Sequence, residues 1–219
     1  MFRTGSITRQ LQNTLLSLLA LFPSGLMIMS TAGSCVLAQS IPVKEPSPEG
    51  KSTLGAALAV RLKMPFLELD RLIEQGSGLT MNLLFDFRGQ AGFRELERRF
   101  LEDALQRYPC FALATGGSLV SEPGTFERLL ASCFTVWVRT SPEEHMQRVI
   151  AQGDMRPMAN NRDAMSDLKR ILAEREVLYS KADIQIDTAG RSLEASLETL
   201  IQALRNTPVR ESLAPTVTP

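Results

Sequence analysis

From Gly50 onward, short and wholly apolar runs alternate with longer stretches in which apolar residues recur at helical spacing. The stretch "KSTLGAALAVRL" places Leu54, Leu58 and Leu62 four apart, which is the buried stripe of a helix. "MPFLEL" is short, apolar and introduced by Pro65, and it predicts a buried strand with Asp70 at its end. "FRELERRFLEDAL" predicts an amphipathic helix charged along one face. "CFALA", Cys110 to Ala114, predicts a strand running into the tight turn "TGGS". "CFTVWV" predicts a third strand, and "SPEEHMQRVI" a helix capped by Ser141, with Pro142 at its first position and Glu144 closing a capping box. A further helix in "SDLKRILAEREVLYS", a short strand in "ADIQID" and a last helix in "SLEASLETLIQAL" complete the series. Strands alternating with helices predict an α/β fold of three layers, a central parallel sheet wrapped on both faces.

Ahead of this domain the pattern changes. Residues 1–44 contain no acidic residue, carry Arg3 and Arg9 near the start, and hold the apolar runs "LLSLLALF" and "GLMIM". With small residues at Val36 and Ala38, the segment is targeting-like, in the manner of a signal or transit peptide, or else a divergent N-terminus. Pro23, Ser24 and Gly25 interrupt a run already short of the roughly 20 residues of a membrane span, so no stable membrane anchor is expected. The domain is expected over 45–205, and the proline- and threonine-rich remainder, 206–219, as a disordered tail.

Charge narrows the classes of partner. Lys+Arg and Asp+Glu are both 24 in 219 residues, so no global field favours nucleic acid, and any anion site must be built locally. A monomer that binds a small molecule is the expectation. Cys35, Cys110 and Cys133 have no metal-ligand spacing, and the last two lie in apolar runs that suit reduced, buried thiols.

The chemistry gathers where predicted strands end, as it does in open parallel sheets. In "EPSPEGKSTLG", Gly50, Lys51, Ser52 and Thr53 form the back half of a phosphate-binding loop followed by a helix. Its front half is wrong, with Glu45 in place of the leading glycine. Pro46 and Pro48 supply no N–H where backbone donors are needed. The strand such a loop requires is also missing from "SIPVKEPSP", and "SCVLA", Ser34 to Ala38, is the best surrogate. Glu68 and Asp70, two apart on a strand, would point to one side and could serve a metal shell and a hydroxyl nucleophile. Arg94, Arg156 and Arg175 lie near element boundaries or loops and suit carboxylate or phosphate ligands, while Arg98 and Arg99, among glutamates, read as surface salt bridges. "AQGDMRPMANNRDAM" has the composition of a mobile lid. His145 reads as a solvent-facing helix residue.

Taken in order, "GKSTLG", "PFLELDRLIE", "FRGQAGFRELE", "LATGGSLV", "VWVRTSPEEHMQRV", "RPM" and "REVLYSKAD" resemble shikimate kinase, over roughly Gly50 to Leu204. The resemblance implies a P-loop kinase fold and transfer of the ATP γ-phosphate to the 3-hydroxyl of shikimate, with Mg²⁺. It implies that Gly50, Lys51, Ser52 and Thr53 hold the nucleotide phosphates, with Ser52 and Glu68 at the metal. Asp70 matches the aspartate on the substrate hydroxyls, Arg94 and Arg175 the arginines on its carboxylate, and Gly116 and Gly117 the turn beside its ring. Arg156 matches the lid arginine facing the transferred phosphate, and Arg148 is similar to an adenine-side arginine. Catalytic roles are thereby implied for Asp70, Lys51 and Arg156. Glu68 in place of an aspartate, Ser118 in place of a third glycine and the altered loop front depart from the family, and they bear on turnover more than on fold.

A narrower resemblance runs through "ATGGSLVSEP", "SPEEHMQRVIAQGDMRPM" and "DLKRILAEREVLYSKAD", which look like the kinase-like domain of bacterial benzoate-pathway regulators. That likeness implies a non-catalytic sensor of an aromatic acyl-CoA such as benzoyl-CoA, here without a DNA-binding half. An enzyme that uses ATP is expected in the cytoplasm.

Overall fold

The computed structural model describes residues 26–30, 50–117, 119–144 and 164–207. The first strand, β1 (Leu26–Ser30), precedes α1 (Gly50–Leu62), β2 (Phe66–Glu68), α2 (Leu69–Ser77) and α3 (Met81–Arg107). β3 (Phe111–Ala114) leads through a single 3-10 turn (Leu119–Ser121) to α4 (Pro123–Ser132) and β4 (Phe134–Arg139). α5 (Ala164–Tyr179), β5 (Ile184–Asp187) and α6 (Leu193–Asn206) close the series.

The sheet order is β2-β3-β1-β4-β5. β2 pairs parallel with β3 and β4 parallel with β5, whereas β1 pairs antiparallel with both β3 and β4. Four strands therefore share one direction, and the expected parallel sheet is interrupted by a reversed central strand. "LMIMS" carries no charge and fills the slot between β3 and β4, with Ile28 opposite Leu113 on one side and Thr135 on the other. A strand of either direction can satisfy the inner backbone groups of those two neighbours. The residues expected to belong to a targeting segment thus include the middle of the sheet. The surrogate strand Ser34 to Ala38 lies outside the described residues.

Alternation along the strands divides the core into two layers. Phe111 and Leu113 of β3 and Trp137 of β4 face a cluster with Leu69, Ile73, Phe93, Leu101, Leu129 and Tyr179. Phe134, Val136 and Val138 face the other side, where Leu54 and Leu58 of α1 meet Leu197, Leu200 and Ile201 of α6. The Leu54/Leu58 stripe is buried as expected, while Leu62, in the last turn, is exposed.

Several local expectations need correction. The strand predicted from "MPFLEL" ends at Glu68, and Asp70 sits in the first turn of α2, so the two carboxylates do not share a strand face. Helix α3 begins well before "FRELE" and kinks at Gly89, whose φ of 63° and ψ of −172° no helix accommodates. Ser141 does cap, accepting the Glu144 N–H at 3.1 Å. The Glu144 carboxylate accepts from Thr140 Oγ1 at 2.7 Å and from the Gly190 N–H at 2.7 Å, tying this turn to the one after β5. Cys110 and Cys133 are buried and form no disulfide, and desolvation pushes the Cys133 thiol up to about 12 against the opposing pull of Arg128.

Candidate active site

The parallel strands end on one edge of the sheet, and the candidate residues collect there. β2 stops at Glu68, opposite Ala114, the last residue of β3. Thr115, Gly116 and Gly117 follow β3 directly and are buried. Helix α1 passes through Lys63 into β2, so its C-terminus lies where the parallel strands begin, and its N-terminus with Ser52 toward the edge where they end. Its first turn carries no acidic residue to oppose an anion at the positive end of the helix dipole. β1 runs the other way: Leu26 pairs with Trp137 near the end of β4, and Ser30 with Phe111 at the start of β3. Unlike the strand of a phosphate loop, it ends on the edge remote from the site.

The best-defined cluster surrounds the Gly117 carbonyl. Arg175 of α5 donates from Nη1 to that oxygen at 3.0 Å, and the Tyr179 hydroxyl donates to it at 2.8 Å. One turn of helix separates these two donors, so a single face of α5 grips the glycine turn. Tyr179 is also stacked on Trp137, with ring centroids 5.4 Å apart and planes inclined at 13°. Burial pushes its phenol up to about 12, against the favourable influence of Arg175. Desolvation lowers the Arg175 pKa; the Arg94 charge lowers it too, while Tyr179, Glu174 and Glu97 oppose the shift. Two arginines from different helices thus feel one another across this cluster.

Arg94 sits on α3 beside the rim, its Nη1 3.4 Å from Glu122 Oε2 at the start of α4. Its Nε is buried with no hydrogen-bond partner among the described residues. Glu97, one turn further along α3, is 1 % exposed and lies close enough to act on Arg175. Asp70 Oδ1 is buried in the first turn of α2. Glu68 is engaged by Arg71, whose Nε lies 2.6 Å from Oε2, so any metal would share that carboxylate with an arginine. Ser52 is buried and Thr53 partly so. The side chain of Lys51 lies outside the described residues, as do Ser118, His145, Arg148 and Arg156 with the lid segment. Among the described residues no group of three His, Cys, Asp or Glu could hold a metal, and no helix is long and apolar enough to cross a membrane.

Of the residues singled out from sequence, Arg94, Arg175 and Gly117 come together around one cluster. Glu97, Glu122 and Tyr179 were missed. Glu97 follows Arg94 by one helical turn in "FRELE", and Tyr179 follows Arg175 in the same way in "REVLY". Those one-turn spacings, three residues and four, were the available signal.

A three-layer α/β scaffold with a Gly-Lys-Ser helix start and an arginine-lined turn at its carboxyl edge defines a phosphotransferase class. The shikimate kinase family model matches residues 49–205. A shikimate kinase from Synechococcus is 39% identical over 137 residues, covering 63% of this chain and 71% of that one. One from Bradyrhizobium diazoefficiens is 35% identical over 156 residues, covering 71% and 74%. Among solved structures, shikimate kinase from Acinetobacter baumannii in complex with shikimate matches with a TM-score of 0.65 at 28% identity, over 74% of this chain and 89% of that one. The Aquifex aeolicus enzyme matches with a TM-score of 0.60 at 26% identity, over 71% and 89%. The chain belongs to the shikimate kinase family. The family match begins just before Gly50, so β1 and most of the altered loop front fall outside it. None of these relatives is a regulator domain, and the acyl-CoA sensor reading gains no support from them.

Proposed function

We propose that this protein transfers the γ-phosphoryl group of ATP to the 3-hydroxyl of shikimate, as a monomer in the cytoplasm. The observation that carries the substrate half of this reading is Arg175 of α5 on the glycine turn after β3, close enough to Arg94 of α3 to feel its charge. A planar carboxylate between two guanidinium groups would relieve their mutual repulsion and accept charge-assisted hydrogen bonds. Gly116 and Gly117 leave room for a ring to approach the backbone. Asp70 would accept a hydrogen bond from the reacting hydroxyl and orient it.

The nucleotide half rests on the start of α1. Gly50, Lys51, Ser52 and Thr53 would meet the phosphates at a helix whose first turn holds no acidic residue. Mg²⁺ would draw on Ser52 and Glu68, with the rest of its shell from phosphate oxygens and water, as that ion prefers. When bound, MgATP supplies the phosphoryl group and neutralises its charge. Lys51 and Arg156 would offset the charge that develops on the transferred group, and Arg148 would flank the adenine.

Thermal denaturation in the presence of shikimate, MgATP, both together, and benzoyl-CoA tests the reading. Stabilisation by shikimate, increased further by MgATP, is expected. Stabilisation by benzoyl-CoA alone would overturn it.

A further inference from the structure

Glu122 occupies a position where a carboxylate has two competing uses. It is the N-cap residue of α4, with extended backbone (φ −108°, ψ 98°), yet its side chain makes no capping hydrogen bond. It turns instead to Arg94, at 3.4 Å. The helix end it leaves behind is short of an acceptor: no acidic residue lies in the first turn of α4, and Thr125 Oγ1, three residues on, is buried without a hydrogen-bond partner among the described residues. Both ends of the Arg94–Glu122 pair are about a third exposed, so exchange with an incoming anion needs no rearrangement of the core.

We propose that Glu122 is a stand-in anion, holding Arg94 while the pocket is empty and releasing it to the carboxylate of the substrate. On release, the Glu122 side chain can move to the N-terminus of α4, where the Gly124 and Thr125 N–H groups, left over after Pro123, and the helix dipole favour a negative charge. Binding therefore exchanges one ion pair for another. The affinity for an acidic substrate is set by the difference between them, and an uncharged analogue that cannot displace Glu122 is disfavoured. The proposal rests on the reading of Arg94 and Arg175 as a carboxylate clamp.

Titration calorimetry on the full chain tests it, with shikimate and its methyl ester as ligands and with Glu122→Gln and Glu122→Asp as variants. Glu122→Gln removes the competing charge at nearly constant length. Glu122→Asp keeps the charge, shortens the reach to Arg94 and is a better helix cap. Both variants should bind shikimate about two- to five-fold more tightly than the parent chain, the range expected from a partly exposed ion pair. Their affinity for the ester should match the parent's. Equal or weaker binding of shikimate by both variants would overturn the proposal, because Glu122 would then be positioning Arg94 rather than competing for it. Loss of shikimate binding in every protein, parent included, would overturn the clamp reading and the proposal with it. That outcome is distinct from the first, in which the parent binds normally.

Discussion

Replacing Tyr179 with phenylalanine removes one oxygen from the best-ordered part of the site. At neutral pH the loss includes the hydrogen bond of 2.8 Å to the Gly117 carbonyl and the contact of the hydroxyl with Arg175. That carbonyl keeps the Arg175 donor at 3.0 Å, so no buried acceptor is stranded. The stack on Trp137 survives because the ring is unchanged. With the Gly117 acceptor still satisfied, the lost hydrogen bonding costs about 1 kcal/mol, which for a domain of this size lowers Tm by roughly 2–4 °C. The cost should reverse at high pH. The folded-state phenol is pushed up from 10.0 to about 12, so the folded protein holds its proton where the unfolded chain has lost it. This stabilising contribution is complete below pH 10 and is lost as pH rises toward 12, up to about 3 kcal/mol for a shift of this size. Phenylalanine has no proton to lose, so the variant should be the less stable protein at pH 7 and the more stable one near pH 12. Urea denaturation across that range measures the crossing. A stability difference that is constant with pH, or a neutral-pH cost above about 3 kcal/mol, would refute the placement of the hydroxyl on Gly117.

Other outcomes follow from the same contacts. Leu113→Ala, fully buried on β3 between β1 and β2, should cost about 2–5 kcal/mol in chemical denaturation. Cys133, buried and with its thiol pushed up to about 12, should resist thiol reagents at pH 8 until the protein unfolds, as read by mass spectrometry of its peptide. Arg175→Lys keeps the charge but loses the planar fork, and it should raise the KM for shikimate about ten-fold or more while leaving that for ATP near its original value. Restoring glycine at Glu45 and replacing Pro46 and Pro48 should tighten ATP binding in equilibrium titrations, because the loop regains backbone donors.

The layers of the fold were legible because most elements obey one period each. Leu54 and Leu58 in α1 and the apolar run of β4 follow their patterns into the core. β1 was not legible: "LMIMS" is too short to separate a strand from the end of a targeting segment, and its reversed direction depends on the slot between β3 and β4 rather than on its own residues. Asp70 was misplaced by a single residue of strand length, enough to move it from an alternating face to a helix turn. Helix α4 escaped notice because "PGTFERLLAS" opens with a proline and a glycine, which read as a turn. In the site, the arginines stood out through residue type, whereas Glu122 did not, since nothing in "SLVSEPG" indicates that its carboxylate forgoes its own helix for Arg94.

Phosphoryl transfer itself is the most direct test. Purified full-length protein, given MgATP with and without shikimate, should release ADP only when shikimate is present, with a singly phosphorylated product detectable by mass spectrometry. Asp70→Asn should abolish that release while retaining the fold. Absence of shikimate-dependent ADP from folded protein that binds both ligands, or unimpaired turnover in Asp70→Asn, would contradict the account.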